Sequence, residues 1–251
     1  MNENRYYWKE YWAHQSNPLH RFQTEEFYKK KAKEELFHLN GGESLLDFGC
    51  GSADSLAYIA KDYTTVVGAD FSRSMLLKTR ERLDNFNVQN VLLVQADDDT
   101  IWDSLSLSFD RMMSAGVVQY FNWAQLENFI FNSKKIIKSD GYIILFDIID
   151  PRLYWSWNYG MRSGRINDVL KRIHGKNSRL FNNCSSFFLK AACLSLFHQM
   201  RSVMSRTPSS IGNPYDPMVI KTMAEKNGLE MEYVCSMYYE YRYHAILKNK
   251  I

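Results

Sequence analysis

Two periods of hydrophobic recurrence divide the chain. Over the first forty residues the period is helical. "RYYWKEYWAHQ" places Tyr7, Tyr11 and His14 at steps of three and four, and "TEEFYKKKAKEELFHLN" spaces Phe27, Ala32, Leu36 and Leu39 along one face. Thr24 stands where an N-cap belongs, although Phe27 three residues on leaves the capping box incomplete. Asn40-Gly41-Gly42 supplies the stop. From Ser44 the pattern becomes short apolar runs alternating with amphipathic stretches. "SLLDFG", "TTVVGAD", "NVLLVQAD", "SFDRMMSAG" and "GYIILFDII" read as strands. "SLAYIAKD", "SRSMLLKTRERLDNF" and "NWAQLENFIFNSKKIIK" read as helices between them. Connections that carry helices predict a mostly parallel sheet covered on both faces. The alternation stops at Asp150-Pro151 and resumes near Pro214, with the helix "DPMVIKTMAEKNG" and two antiparallel strands in "LEMEYVCSMYYEYRYHAILKN" joined near Tyr239 to Tyr241. The pattern therefore predicts one domain over residues 1–251, with a helical N-terminal cap over 1–40 and an insertion over 151–213.

Charge changes the picture of that insertion. The chain is 45% hydrophobic and 24% charged, as ordinary globular proteins are, with a net charge of +3. The excess is concentrated. Pro151 to Ser210 holds ten basic residues against one acid, Asp168, so the body is acidic and the inserted segment basic. An anionic partner for that segment is expected. The four cysteines, Cys50, Cys184, Cys193 and Cys235, have neither CxxC pairing nor metal spacing, which predicts a reduced, cytoplasmic protein with no metal site. No apolar run is long enough to span a bilayer. "FFLKAACLSLFHQM" could at most rest on a membrane surface.

The chemistry concentrates after the first strand, in "SLLDFGCGSADS". Gly49 and Gly51 suit a turn on which a ligand lies close to the backbone. A pyrophosphate would meet Asp47 and Asp54 there, and two unit charges about 4 Å apart interact by about 4 kcal/mol at an effective dielectric near 20. No cation in this stretch offsets that. S-adenosylmethionine, a net cationic ligand without phosphate, fits better. Asp70 ends the second strand at the right distance to accept both ribose hydroxyls. Phe71 and Met75 offer apolar contact to adenine, and Asp97 can accept from its amino group.

"LLDFGCGSAD", "VVGADFSRSML", "VLLVQADDD" and "FDRMMSAGVVQYF" resemble, in order and spacing, the successive motifs of class I S-adenosylmethionine-dependent methyltransferases. The resemblance covers Ser44 to Ile149, and "GLEMEY…YRYHAIL" resembles the family's closing reversed hairpin. It implies a Rossmann-like seven-stranded sheet of order 3-2-1-4-5-7-6. It also implies S-adenosylmethionine as cofactor, with Asp47, Gly49, Cys50, Gly51, Asp70, Phe71, Met75, Asp97, Asp98 and Ser114 around it. Ala53 departs from the pattern, since many members carry a third glycine there.

For the acceptor, Gln119 and Tyr120 follow strand four. Tyr154, Trp157, Arg162 and Arg165 stand in the basic aromatic insertion, where arginines could pair bidentately with a carboxylate or phosphate. Tyr11 could cover the cofactor or face the acceptor. His174, His198 and Tyr120 are the candidate acid–base groups, needed only if the acceptor must lose a proton. The expected activity is O- or N-methylation of a small, anionic acceptor. Three alternatives stay open: an RNA methyltransferase, disfavoured by the acidic body and the lack of an RNA module; a quinone or lipid methyltransferase; and a protein that binds the cofactor without transfer. No role on DNA is expected, and oligomeric state is not readable.

Overall fold

The computed structural model describes residues 24–153, 212–239 and 241–250. The chain enters on α1 (Glu25–Leu39), which Thr24 caps by accepting the Phe27 N–H at 3.2 Å. It continues through β1 (Ser44–Phe48), the short α2 (Leu56–Ile59), β2 (Thr65–Asp70), α3 (Arg73–Asn85), β3 (Val91–Gln95), the one-turn α4 (Ile101–Ser104), β4 (Phe109–Ala115) and α5 (Trp123–Ile136). Then come β5 (Ile137–Ile149), α6 (Pro217–Lys226), β6 (Leu229–Cys235) and β7 (Arg242–Asn249). The elements follow the hydrophobic pattern, including the caps Ser72 on α3 and Asp216 on α6.

The strands form one sheet of order β3-β2-β1-β4-β5-β7-β6. Pairs from β3 through β5 are parallel, and β7 runs antiparallel to both β5 and β6. The order reverses at β1, so the carboxyl ends of β1 and β4 open a crevice there. Apolar side chains fill both faces. Leu46, Phe48, Phe129 and Leu145 belong to one core, while Leu45, Val66, Met113 and Phe146 belong to the other. Alternate residues of one strand thus serve opposite cores, as a period of two requires.

Two local features differ from the pattern's prediction. Ile137 and Lys138 extend the helical reading of "NSKKIIK", yet they are strand, because Ile137 pairs with Phe109 of β4. The helix therefore passes straight into β5 without a loop. The second is α1. Its apolar spacing predicts a hydrophobic inner face, but Glu34 and Glu35 are buried with Ala32 and Leu39. Glu34 meets partners from a distant part of the chain, and Glu35 meets Lys31 one turn earlier on the same helix.

Candidate active site

One cavity of about 310 Å³ lies at the strand reversal. That is within the size range of small-molecule sites. At one end it is bordered by Asp70, Phe71, Met75, Asp97 and Asp98, beyond β2 and β3. The turn Gly49–Ser52 forms its floor, and Lys31, Asp147, Gln119, Tyr239 and Arg242 form the other end.

The turn is built for close backbone approach. Gly49 has φ +79°, and a Cβ there would stand 2.3 Å from Val117 Cγ2. Glycine is thus required both by conformation and by space. Ala53 also has a positive φ, 59°, which costs an alanine roughly 1–2 kcal/mol. The missing third glycine therefore leaves strain in the turn.

Asp70 ends β2 inside the crevice. One carboxylate oxygen accepts the Gly51 N–H at 3.0 Å and the other the Ser72 N–H at 2.8 Å. Burial raises its pKa to about 6 against the pull of those two bonds. It is ionised at neutral pH, and each oxygen keeps a lone pair for a ligand hydroxyl. Asp97 and Asp98 behave differently. Asp97 Oδ1 collects the Asp99 and Thr100 N–H groups and the Thr100 hydroxyl, between 2.9 and 3.1 Å, and so shapes its own loop. Asp98 is buried, and its Oδ2 faces Gln125 Nε2 at 3.3 Å.

Two sequence expectations need correction. Ser114 is fully buried and does not line the cavity; Met113 and Ala115 do. The period of two turns Ser114 to the other face of β4. The other is the charge of the turn. Asp47 is buried at the cavity floor, and burial, with Glu35 and Asp70 near it, pushes its carboxyl well above the usual range. Moreover, a cation acts on Asp47: the Lys31 ammonium of α1 lines the same cavity and pulls against the rise. Burial likewise raises the Cys50 thiol, with Asp47 and Asp70 adding to the effect, so it is a packing group rather than a nucleophile.

The far end of the cavity was not foreseen. A bulge in β5 sets Phe146 and Asp147 opposite the single residue His244 of β7, and Asp147 takes φ +60°. Its side chain lines the cavity and pairs with Lys31, which also lies 3.5 Å from Glu35. Burial opposes the Asp147 charge, but Lys31, then His244 and Arg242, outweigh it and hold the pKa below the carboxylate range. Behind this pair, Glu34 Oε1 accepts the Met237 N–H at 2.6 Å and meets His244 Nε2 at 3.1 Å. The Asp147 N–H donates to His244 Nδ1 at 3.1 Å. A backbone N–H can only donate, so Nδ1 is the acceptor there, and Nε2 is the ring nitrogen that faces Glu34. Glu34, His38 and His244 bring ligand atoms within 4.8 Å of one another. Nothing in a Lys- and Glu-rich helix and a Tyr-rich strand marks these residues; only the buried phase of Lys31, Glu35 and Leu39, at steps of four, does so in retrospect.

Of the other predicted residues, Gln119 and Tyr120 line the cavity. Gln119 is buried, and its carbonyl accepts the Asn213 N–H at 2.6 Å, which ties the chain re-entering at Gly212 to the rim. Tyr11, Tyr154, Trp157, Arg162, Arg165, His174 and His198 lie outside the described residues, as do most of the 1–40 cap and the 151–213 insertion. No helix among the described residues is long and apolar enough to cross a membrane.

Comparison with known proteins agrees with this geometry. Residues 45–141 match the family model "Methyltransferase domain". An S-adenosylmethionine-dependent methyltransferase, UmaA of Mycobacterium tuberculosis, is 27% identical over 113 residues, covering 45% of this chain and 38% of that protein. The chain thus spans well under two thirds of that relative, and half of the demethylmenaquinone methyltransferase of Tropheryma whipplei, to which it is 24% identical. Magnesium protoporphyrin IX methyltransferase from Synechocystis PCC 6803, solved with bound SAM, shares the fold at a TM-score of 0.60 and 10% identity, over 99% of both chains. The N-methyltransferase NodS from Bradyrhizobium japonicum, solved with S-adenosyl-L-homocysteine, does so at 0.59 and 14% identity, over 99% of this chain and 100% of that one. At such identities the likeness concerns fold alone. Residues 45–141 thus match a methyltransferase domain, and the chain has the fold and strand order of the class I S-adenosylmethionine-dependent methyltransferases.

Proposed function

We propose that this chain transfers the methyl group of S-adenosylmethionine to a small, anionic acceptor and releases S-adenosylhomocysteine. Asp70 is the observation that carries the cofactor half of this reading. It is a buried carboxylate, ionised at neutral pH, held by two backbone N–H groups with a lone pair on each oxygen left over. Those acceptor oxygens suit a ribose diol, and the backbone turn Gly49–Ser52 lines the same cavity. Asp98 with Met75 and Phe71 would enclose the base, and Gly49 and Gly51 would receive the amino-acid portion.

The cofactor supplies an activated methyl group on a sulfonium that leaves readily. The chain's own task is therefore to hold the acceptor in line and keep water out. Gln119, Tyr120 and Tyr239 border the space beyond the turn where an acceptor would lie. The anionic character of the acceptor is supported by the ten basic residues between Pro151 and Ser210.

The test is a titration followed by a screen. S-adenosylhomocysteine should bind the full chain in a calorimeter. Incubation of metabolite extracts with methyl-labelled cofactor should then label a small acidic product. Tight uptake of a nicotinamide dinucleotide with indifference to S-adenosylhomocysteine would overturn the reading, and labelling of RNA or lipid alone would overturn the acceptor class.

A further inference from the structure

Arg242, the first residue of β7, lines the cavity beyond the turn and is only 8% exposed. Its Nη1 donates to Gln119 Oε1 at 3.1 Å and to the Asp147 carbonyl at 3.0 Å. The Tyr239 ring lies 5.1 Å from the guanidinium carbon. No carboxylate among the described residues is paired with it. The Asp147 side chain is taken by Lys31, and Glu34 is engaged with His244 and the Met237 N–H.

The Nε of Arg242 is buried and has no hydrogen-bond partner. Arg152 shows what that edge of a guanidinium does when satisfied: its Nε and Nη2 grip Asp150 as a fork, at 3.0 and 2.8 Å. In Arg242 the same edge is unfilled. A buried donor left without a partner costs about 1–3 kcal/mol, and more when it is charged. Buried polar groups are almost always paired, so an orphan of this kind at a cavity wall calls for a partner that the described residues do not supply.

The chemistry of that partner follows from charge and shape. Lys31 and Arg242 are the two cationic side chains among the described residues lining the cavity. Lys31 is neutralised by Asp147. Arg242 is then the lining cation with no carboxylate paired to it among the described residues, and it offers a planar two-donor edge. A carboxylate matches both the charge and the plane. A phosphate dianion would bring a second negative charge towards Asp147.

We propose that Arg242 anchors a carboxylate of the methyl acceptor through its Nε–Nη2 edge, with Tyr239 packing beside the acceptor's body. This deepens the methyltransferase reading and rests on it. The carboxylate is a handle and not the methylated atom, because bidentate pairing stabilises the anion and lowers its nucleophilicity. The acceptor's reacting oxygen or nitrogen then lies on the side facing the turn.

The experiment uses the full chain saturated with S-adenosylhomocysteine, with benzoate as the carboxylate probe and methyl benzoate as its uncharged counterpart. Ligand-observed NMR titration measures both. The wild-type protein should prefer benzoate by on the order of tenfold. Arg242→Gln should abolish the preference, and Arg242→Lys, which keeps the charge and loses the fork, should lose most of it. Should Arg242→Gln fail to fold, Gln119→Glu decides: it keeps Arg242 and offers its guanidinium an internal anion, so benzoate should weaken on the order of tenfold. Calorimetry with S-adenosylhomocysteine is run on every variant. Intact cofactor binding with no carboxylate preference in the wild type, or with a preference that survives these substitutions, overturns this inference alone. Loss of S-adenosylhomocysteine binding in the wild type overturns the methyltransferase reading instead.

Discussion

Asp70 and Asp147 lie at opposite ends of one cavity, and both are buried. Their environments push them in opposite directions. Asp70 has only backbone N–H groups for company, and burial wins: its pKa rises to about 6. Asp147 is buried too, but Lys31 beside it, with His244 and Arg242, more than cancels the burial and lowers its pKa. Linkage fixes the signs. Ionising Asp70 costs the fold, so its contribution to stability falls as pH rises from the ordinary carboxylate range to about 6 and stays low above that. Asp147 contributes stability above the ordinary carboxylate range and loses it as pH falls through its lowered folded value. The end near β2 keeps a charge at the expense of stability, which is how binding sites are made. The end near β5 pairs most of its charges, and Arg242 is the exception.

The largest expected effect breaks the paired end. Asp147→Ala leaves the Lys31 ammonium with Glu35, at 3.5 Å, as its remaining counter-charge, and should cost about 3 kcal/mol in urea unfolding, the low end for a broken buried pair. The triple change Lys31→Met, Glu35→Leu and Asp147→Leu should recover most of that loss, since an apolar cluster leaves no charge unpaired. Recovery failing would show that Asp147 serves more than its ion pair. Next in size, Asp70→Ala should weaken S-adenosylhomocysteine binding by about 1–3 kcal/mol, with a smaller loss of stability than Asp147→Ala, because relief of a buried charge offsets part of the cost of leaving the Gly51 and Ser72 N–H groups without an acceptor. A fall in stability with unchanged calorimetric affinity would erase the distinction between the two ends. A milder probe is pH. Affinity for S-adenosylhomocysteine should decline as pH drops below about 6, where Asp70 takes up a proton, and Asp70→Asn should bind weakly without that dependence. The smallest change is Ala53→Gly, which should raise stability by about 0.5–1 kcal/mol by relieving the left-handed alanine. An unchanged unfolding midpoint would mean the turn has already absorbed the strain.

Much of the fold could be read before any coordinates, and so could one end of the cavity. Strands such as Thr65–Asp70 alternate with helices such as Arg73–Asn85, and their period, caps and terminal acids are local properties that a linear pattern carries. Gly49, Asp70, Phe71 and Met75 share this advantage, because each sits at a fixed offset from the end of its own strand. Ser114 shows the limit of that advantage: one step along β4 separates the cavity from the opposite core.

The other end obeys different rules. Lys31 in "YKKKAKEELFH" looks like its solvated neighbours, and Asp147 looks like one polar residue in a strand. They meet because α1 packs across β5 and because a bulge opposite His244 turns Asp147 inward. Pattern and spacing thus set the sheet, its order and the ribose-side carboxylate, since those depend on residues near one another in the chain. Which charges are buried, which are paired and which guanidinium is left without a partner depend on residues such as Lys31 and Arg242, far apart in sequence, and on whether their low-dielectric surroundings supply a counter-charge within reach.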